Sequence, residues 1–271
     1  MTQYNALTFS VANKIATITM NRPKKANALN RTLWFELGEA LDEADENDEV
    51  RVVVLRGEGK HFTSGIDYSL IAETVGAVAS LPEGKKQSLM RRHILELQDA
   101  FSKAERCRKP VIAAIHGSCI GAGIDLISAC DIRYASAQAT FSIKEVDLAI
   151  VADIGTLQRV PAIIGEGYTR ELALTARRFD ATEADRIGLV NRVFDDRKSL
   201  DEHVLQVACE IASKSPLATR GTKQVLNYSR DHSVENGLNY VATWNSAMLL
   251  SADAQEAMGA MFEGRAPNFS D

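Results

Sequence analysis

The residues best suited to chemistry in this 271-residue chain are the carboxylates Asp125, Glu145 and Asp153, together with a glycine-rich turn just before the first of them. The turn, His116-Gly-Ser-Cys-Ile-Gly-Ala-Gly-Ile-Asp-Leu126, follows the apolar run Val111–Ile115 and leads into a helix that begins near Gly121. Such a strand, turn and helix N-terminus let backbone N–H groups approach a negatively charged atom closely. A tight turn whose glycines serve only packing explains the same residues equally well. A dinucleotide fingerprint is excluded because Leu126 falls where its third glycine belongs. No Gly-Lys-Ser/Thr follows, as a Walker loop requires, and no G-x-S-x-G elbow surrounds Ser118. Cys119 and His116 have no third group to orient them, which favours a buried structural thiol over a nucleophile with its base.

Each acid carries a structural reading beside its chemical one. Asp125 falls in the first turn of its helix, where the dipole stabilises a carboxylate without any catalytic role. Phe141-Ser-Ile-Lys-Glu145 alternates, so a strand would turn Phe141, Ile143 and Glu145 to one apolar side and raise the Glu145 pKa by desolvation. If the strand stops at Lys144, Glu145 becomes a solvated turn residue. Asp153 follows Leu148-Ala-Ile-Val-Ala152 and precedes Ile154-Gly155. An acid in so apolar a segment is paired, capping or catalytic, and capping of the helix expected over Thr156–Ile164 is a serious rival.

The elements that must position these groups alternate along the chain. Leu7–Val11 and Ile15–Met20 are expected to pair as strands about a turn at Ala12, Asn13 and Lys14. Helix is expected over Thr32–Asn47, a buried strand over Val50–Leu55, and helices over Tyr68–Ala79 and from a loop at Ser80–Lys86 to about Cys107. Strands at Val111–Ile115 and Asp131–Ala135 continue the pattern, which predicts α/β architecture with largely parallel pairing. Beyond residue 199 the strand signals stop. Helices are expected at Leu200–Lys214, Pro216–Ser229, Val234–Leu250 and Ala252–Phe262, with more apolar surface than they can bury alone. Self-association is the natural outlet.

Composition narrows the classes. Lys and Arg number 31 against 36 Asp and Glu, a net charge of −5 that gives no electrostatic drive toward nucleic acid or an anionic membrane. Cys107, Cys119, Cys130 and Cys209 have no C-x-x-C or histidine spacing for zinc, so no metal site is expected and the thiols read as reduced and mostly buried. No secretory leader is visible, and no apolar run approaches the ~20 residues that cross a bilayer. With no visible transit peptide and a C-terminal Asn268–Asp271 that is no peroxisomal tripeptide, a cytoplasmic, bacterial-type location is expected.

Several motifs in order carry a resemblance covering about residues 7–266: Asn21-Arg-Pro with Asn27-Ala-Leu-Asn30, Phe62-Thr-Ser-Gly-Ile-Asp67, the 116–126 turn, and Ala129-Cys-Asp-Ile-Arg133. Together they resemble the enoyl-CoA hydratase/isomerase (crotonase) superfamily. Lys144-Glu-Val-Asp147 followed by Ala152-Asp-Ile-Gly-Thr-Leu-Gln158 most resembles its Δ3,5-Δ2,4-dienoyl-CoA isomerases. The resemblance implies a crotonase-type spiral of β-β-α turns over residues 1–198 and a C-terminal helical trimerisation region over 199–271, assembled as a homotrimer or a dimer of trimers. It implies an acyl-CoA thioester substrate, no cofactor, and an oxyanion hole formed by the backbone N–H groups of Ile66 and Ala122. Alanine at 122 departs from the family's usual glycine but keeps the N–H. Arg22, Lys24 and Lys25 would meet coenzyme A, though a solvated loop accounts for each of them as well. The stretch from Tyr68 to Arg92 would wall the acyl pocket.

Hydratases of the family use glutamates at the positions of Asp125 and Glu145 to activate water, and typically have glycine where this chain has Asp153. The shorter first acid and the added one imply a proton shuttle in fatty acid β-oxidation: Asp153 as base at C2, Glu145 as acid at C6, Asp125 as polar support, with the first two roles exchangeable. The rival readings are an enoyl-CoA hydratase and a non-catalytic RNA-binding member of the superfamily; the net charge argues against the second.

Overall fold

In the computed structural model, which describes residues 2–270, the chain opens with β1 (Leu7–Ala12) and β2 (Ile15–Met20), paired antiparallel from Leu7–Met20 to Ala12–Ile15. A 3-10 turn at Pro23–Lys25 leads to α1 (Arg31–Glu46), β3 (Val52–Gly57), α2 (Tyr68–Val78), α3 (Glu83–Arg106) and β4 (Val111–Ile115). Next come β5 (Ser118–Ile120), α4 (Ala122–Ser128), β6 (Ile132–Ser136), β7 (Thr140–Ser142), a 3-10 turn at Glu145–Leu148, α5 (Thr156–Ile164) and α6 (Glu166–Thr175). The rest is β8 (Phe179–Asp180), α7 (Ala181–Arg186), β9 (Arg192–Phe194), α8 (Arg197–Ala212), α9 (Pro216–Arg230), α10 (Val234–Met248) and α11 (Ala252–Glu263).

A sheet ordered β1-β2-β3-β4-β6-β9 is parallel from β2 onward, and a smaller sheet, β5-β7-β8, stands beside it. The buried run Val111–Ile115 forms the centre of the large sheet, as its unbroken apolar character requires. Helix α1 starts where the Asn30 side chain accepts the Leu33 N–H at 3.1 Å. Its apolar stripe, including Leu33, Leu37 and Leu41, is buried, and Trp34 stacks on Phe101 of α3 with ring centroids 4.3 Å apart. The opposite face of the sheet is covered by α8, whose Leu200, Val204 and Ala208 pack on Ile15, Val54 and Ile112. By packing, therefore, α8 belongs with the sheet, although most of it lies beyond the 198/199 boundary expected from sequence.

Helices α9–α11 and the turn between α10 and α11 leave large apolar side chains unburied: Leu250, in that turn, is 81% and Phe262, in α11, 87% exposed. Helix α9 is anchored by the buried Lys223, whose ammonium donates to the Ala104 and Lys109 carbonyls and pairs with Asp131 at 2.7 Å. The elements β5, β8, β9, α6 and α7 are not among those expected from the sequence. The alternation through Glu145 also misled: β7 ends at Ser142, and Glu145 opens a 3-10 turn instead of closing a strand.

Candidate active site

The loop after β3 is zipped at both sides. Thr63 N–H bonds the Ser118 carbonyl of β5, Ser64 N–H the Ala26 carbonyl, and Leu29 N–H the Gly65 carbonyl, while Leu29 accepts from Asp67 N–H. In this bridge the Ile66 N–H points away from Leu29. Ala122 is the first residue of α4, so its N–H is one that the helix leaves without an acceptor. The two amides are brought together by Gly65, which has φ +90°; a Cβ built there would lie 3.8 Å from Ala122 N and 2.6 Å from the Ile120 carbonyl oxygen. Behind the loop, buried Asn27 ties Arg22 N–H to the Glu58 and His61 carbonyls, a structural role for which the sequence carried no signal beyond its motif.

Gly65, Ile66 and Ala122 open onto a cavity of about 420 Å³, and Asp125, Glu145 and Asp153 line the same cavity. Its walls are apolar: Leu70, Ile71 and Val75 from α2, Met90, Ile94 and Leu97 from α3, with Ile150 and Ile154 from the segment before α5. The wall thus extends past the Tyr68–Arg92 stretch. The few other polar groups include Thr74 and His93, hydrogen-bonded to each other at 2.9 Å.

The three acids differ in surroundings. Asp125 is 1% exposed and its Oδ1 accepts the Thr156 N–H, the first of α5, at 2.7 Å. The carboxylate that serves the α5 N-terminus is therefore Asp125, and the capping reading of Asp153 is overturned: the residue flanking α5 is Gly155, with no side-chain cap. Burial, then the charge of Glu145, pushes the Asp125 carboxyl up to about 7, against the pull of the Thr156 bond. Glu145 is buried at 9% exposure even though no strand carries it; Oε1 lies 3.4 Å from where a Gly121 Cβ would be, and Oε2 has no hydrogen-bond partner among the described residues. Desolvation foremost, and the Asp153 charge as well, raise its pKa. Asp153 stands on the rim, exposed but with enough burial of its carboxyl to raise it too. Its carbonyl accepts from Gln98 of α3 at 2.5 Å.

Ionising Asp125 costs native stability, and the sign follows from linkage. Its folded-state pKa, about 7, exceeds its ordinary 3.8, so its contribution is full below 3.8 and is lost as pH rises through 7. That amounts to roughly 4 kcal/mol at most. Asp125→Asn keeps an acceptor for Thr156 N–H and has no charge to bury. Urea unfolding at about pH 5 and about pH 7.5 is expected to show the wild type losing stability relative to this variant at the higher pH; parallel behaviour would refute the assignment.

The remaining site candidates lie elsewhere. Arg22 pairs with Asp67 at 3.1 Å and also donates to the Ala28 carbonyl. Asp67 in turn caps α2 by accepting from Ser69 N–H. Lys24 and Lys25 are exposed on the first 3-10 turn. Cys119 is fully buried with a pKa pushed far up, and the His116 ring meets the Gly59 carbonyl, so they form no nucleophile pair. Cys107 and Cys130 are buried and Cys209 is exposed, all as free thiols. Among the described residues no cluster of His, Cys, Asp and Glu could hold a metal, and no helix is long and apolar enough to cross a membrane.

Two unpaired amides and a set of acids around an apolar cavity suit proton transfer next to a carbonyl whose oxygen gains charge. The chain belongs to the enoyl-CoA hydratase/isomerase family, whose profile matches residues 10–271. It is 53% identical over 254 residues to the peroxisomal Δ(3,5)-Δ(2,4)-dienoyl-CoA isomerase of Arabidopsis thaliana, covering 93% of this chain and 91% of that one. The mitochondrial Δ(3,5)-Δ(2,4)-dienoyl-CoA isomerase of Homo sapiens is 44% identical over 264 residues, 97% of this chain and 80% of the relative. Among solved structures, an enoyl-CoA hydratase from Bacillus anthracis superposes with a TM-score of 0.87 at 31% identity, covering 98% of this chain and 99% of that one. The relatives overturn the cytoplasmic expectation, since they are peroxisomal and mitochondrial proteins. That expectation rested on missing targeting signals, and a missing signal does not locate a protein.

Proposed function

We propose that this chain is a Δ3,5-Δ2,4-dienoyl-CoA isomerase of fatty acid β-oxidation, acting on an acyl-CoA thioester by carboxylate-mediated proton transfer. The observation that carries the reading is the third acid: Asp153 shares one apolar cavity with Glu145 and Asp125, beside the amides of Ile66 and Ala122. The thioester oxygen accepts from those two N–H groups. Asp153 removes a C2 proton; the C–H electron pair moves into the conjugated system, and the charge reaching the oxygen is held by the amides. Glu145 then delivers its own proton to C6 as electrons flow back from the oxygen, leaving the 2,4-diene with no change of oxidation state. Exposure favours an ionised Asp153, the base, whereas burial with an unpartnered oxygen favours a protonated Glu145, the acid. Asp125, committed to Thr156 N–H, supports the pair.

Lys24 and Lys25 are the exposed cations assigned to the coenzyme A phosphates, with Arg22 holding Asp67 beside Ile66. The apolar faces of α9–α11 are assigned to contacts between copies, as a homotrimer or a dimer of trimers. Leu250→Asp combined with Phe262→Asp is expected to lower the sedimentation coefficient toward that of a monomer. The test of the activity is direct. Purified protein given 3,5-dienoyl-CoA should develop the ultraviolet absorbance of the conjugated 2,4-dienoyl thioester; hydration of trans-2-enoyl-CoA at a comparable rate, without that signal, would favour a hydratase.

A further inference from the structure

The segment that carries Asp153 is short, lies between the 3-10 turn at Glu145–Leu148 and α5, and is held by neighbours on both sides. Asp125 takes the Thr156 N–H, and Gln98 donates to the Asp153 carbonyl. A further hold comes from Arg159, one turn into α5. Its guanidinium is half-enclosed: Nε and Nη2 reach Glu105 Oε2 at 3.1 and 2.9 Å, Nη2 also reaches Ser102 Oγ at 3.0 Å, and Nη1 turns back to the Ile154 carbonyl at 3.5 Å. Gly155 leaves room for it, since a Cβ at that residue, with φ +139°, would fall 1.8 Å from Nη1. The guanidinium thus occupies the space a side chain at 155 would fill, against the Ile154–Gly155 peptide.

Glu105 is not an incidental partner. It lies at the C-terminal end of α3, the helix that walls the cavity and supplies Gln98, and it is also paired with Arg230 of α9. The Arg159 and Arg230 guanidiniums outweigh burial and hold its carboxyl below the usual range. A planar guanidinium can make all the Arg159 contacts at once, whereas an ammonium cannot.

We infer that Arg159, gripped by Glu105 and Ser102 of α3, is a positioning residue that sets the place of Asp153 through the Ile154–Gly155 peptide. The inference rests on the isomerase reading above, in which Asp153 is the base. A displaced base loses rate in the chemical step more than in binding, and a shift of about an ångström costs on the order of a hundredfold. Among the described residues Arg230 shares Glu105 but makes no hydrogen bond or ion pair with residues 153–156, which makes it the natural control for loss of an ion pair alone.

Arg159→Gln, Arg159→Lys and Arg230→Gln are compared with the wild-type protein on 3,5-dienoyl-CoA, with circular dichroism and melting temperature recorded for each. Arg159→Gln is expected to lower kcat by about tenfold to a hundredfold with KM within about twofold. Arg159→Lys, which keeps the charge opposite Glu105, should recover part of that loss. Arg230→Gln should leave kcat within about twofold. Equal losses for Arg159→Gln and Arg230→Gln, or a change confined to KM, would overturn the inference. Should Arg159→Gln fail to fold, Arg159→Lys decides alone: full wild-type kcat refutes positioning, and a partial loss at unchanged KM supports it. A wild-type protein that does not turn over the dienoyl thioester would instead sink the isomerase reading.

Discussion

Asp153→Asn is expected to lower kcat on 3,5-dienoyl-CoA by about 10²–10⁴-fold, the usual contribution of a positioned general base, with KM changed little because Asp153 stands on the cavity rim. Glu145→Gln should cost a similar factor, since an amide cannot deliver the proton that C6 requires. The pH dependence separates the two roles. In the wild type kcat/KM should fall on the acid side as Asp153 gains its proton and on the alkaline side as Glu145 loses its own. Both limbs should be displaced upward from ordinary carboxylate values, because burial raises both groups. The Asp153 charge also raises Glu145. Residual activity in Asp153→Asn should therefore lose its alkaline limb at lower pH than the wild type. Steady-state absorbance across pH, with deuterium exchange at C2, measures all of this. Wild-type turnover in Asp153→Asn would remove that residue from the mechanism.

Gly65→Ala is the second large effect. The added methyl meets the Ile120 carbonyl oxygen at 2.6 Å, and the residue must hold φ +90°, which alanine tolerates poorly. The loop carrying Ile66 has to move, so the two amides no longer face one oxygen. Loss of one such donor costs about 10²–10³ in kcat. The acids are untouched by this change, and their pH limbs should stay where they were while the plateau between them drops. Stopped-flow or steady-state rates across pH would show it; an unchanged plateau would mean that these amides do not hold the thioester oxygen.

Much of this site was legible in sequence because its signals were local. The apolar run before Asp153, the turn at 116–126 and the crossover pattern each identified a neighbourhood, and the family motifs joined them. The errors share a physical origin. Alternation put Glu145 on a strand, yet the chain buries it from a 3-10 turn, since burial depends on what packs over a residue and not only on its own period. Capping was weighed for the nearest acid, Asp153, as the rival to its chemical role, while Thr156 N–H is met by Asp125, 31 residues away and across the fold. Glu105 with Arg159, 54 residues apart, was invisible for the same reason. Helices α1 and α9 were placed closely because their caps, Asn30 and Ser215, and their apolar stripes lie in the sequence itself.

The cavity's lining comes from two sources: α2 and α3, and the frame made by β5, α4, the 3-10 turn at Glu145–Leu148 and the segment before α5. Substitutions at Ile71, Val75 or Met90 would reshape the room for an acyl tail without disturbing either the amides or the acids. Such an arrangement lets fatty chains of new length be accommodated over generations while the proton-moving apparatus is inherited unaltered.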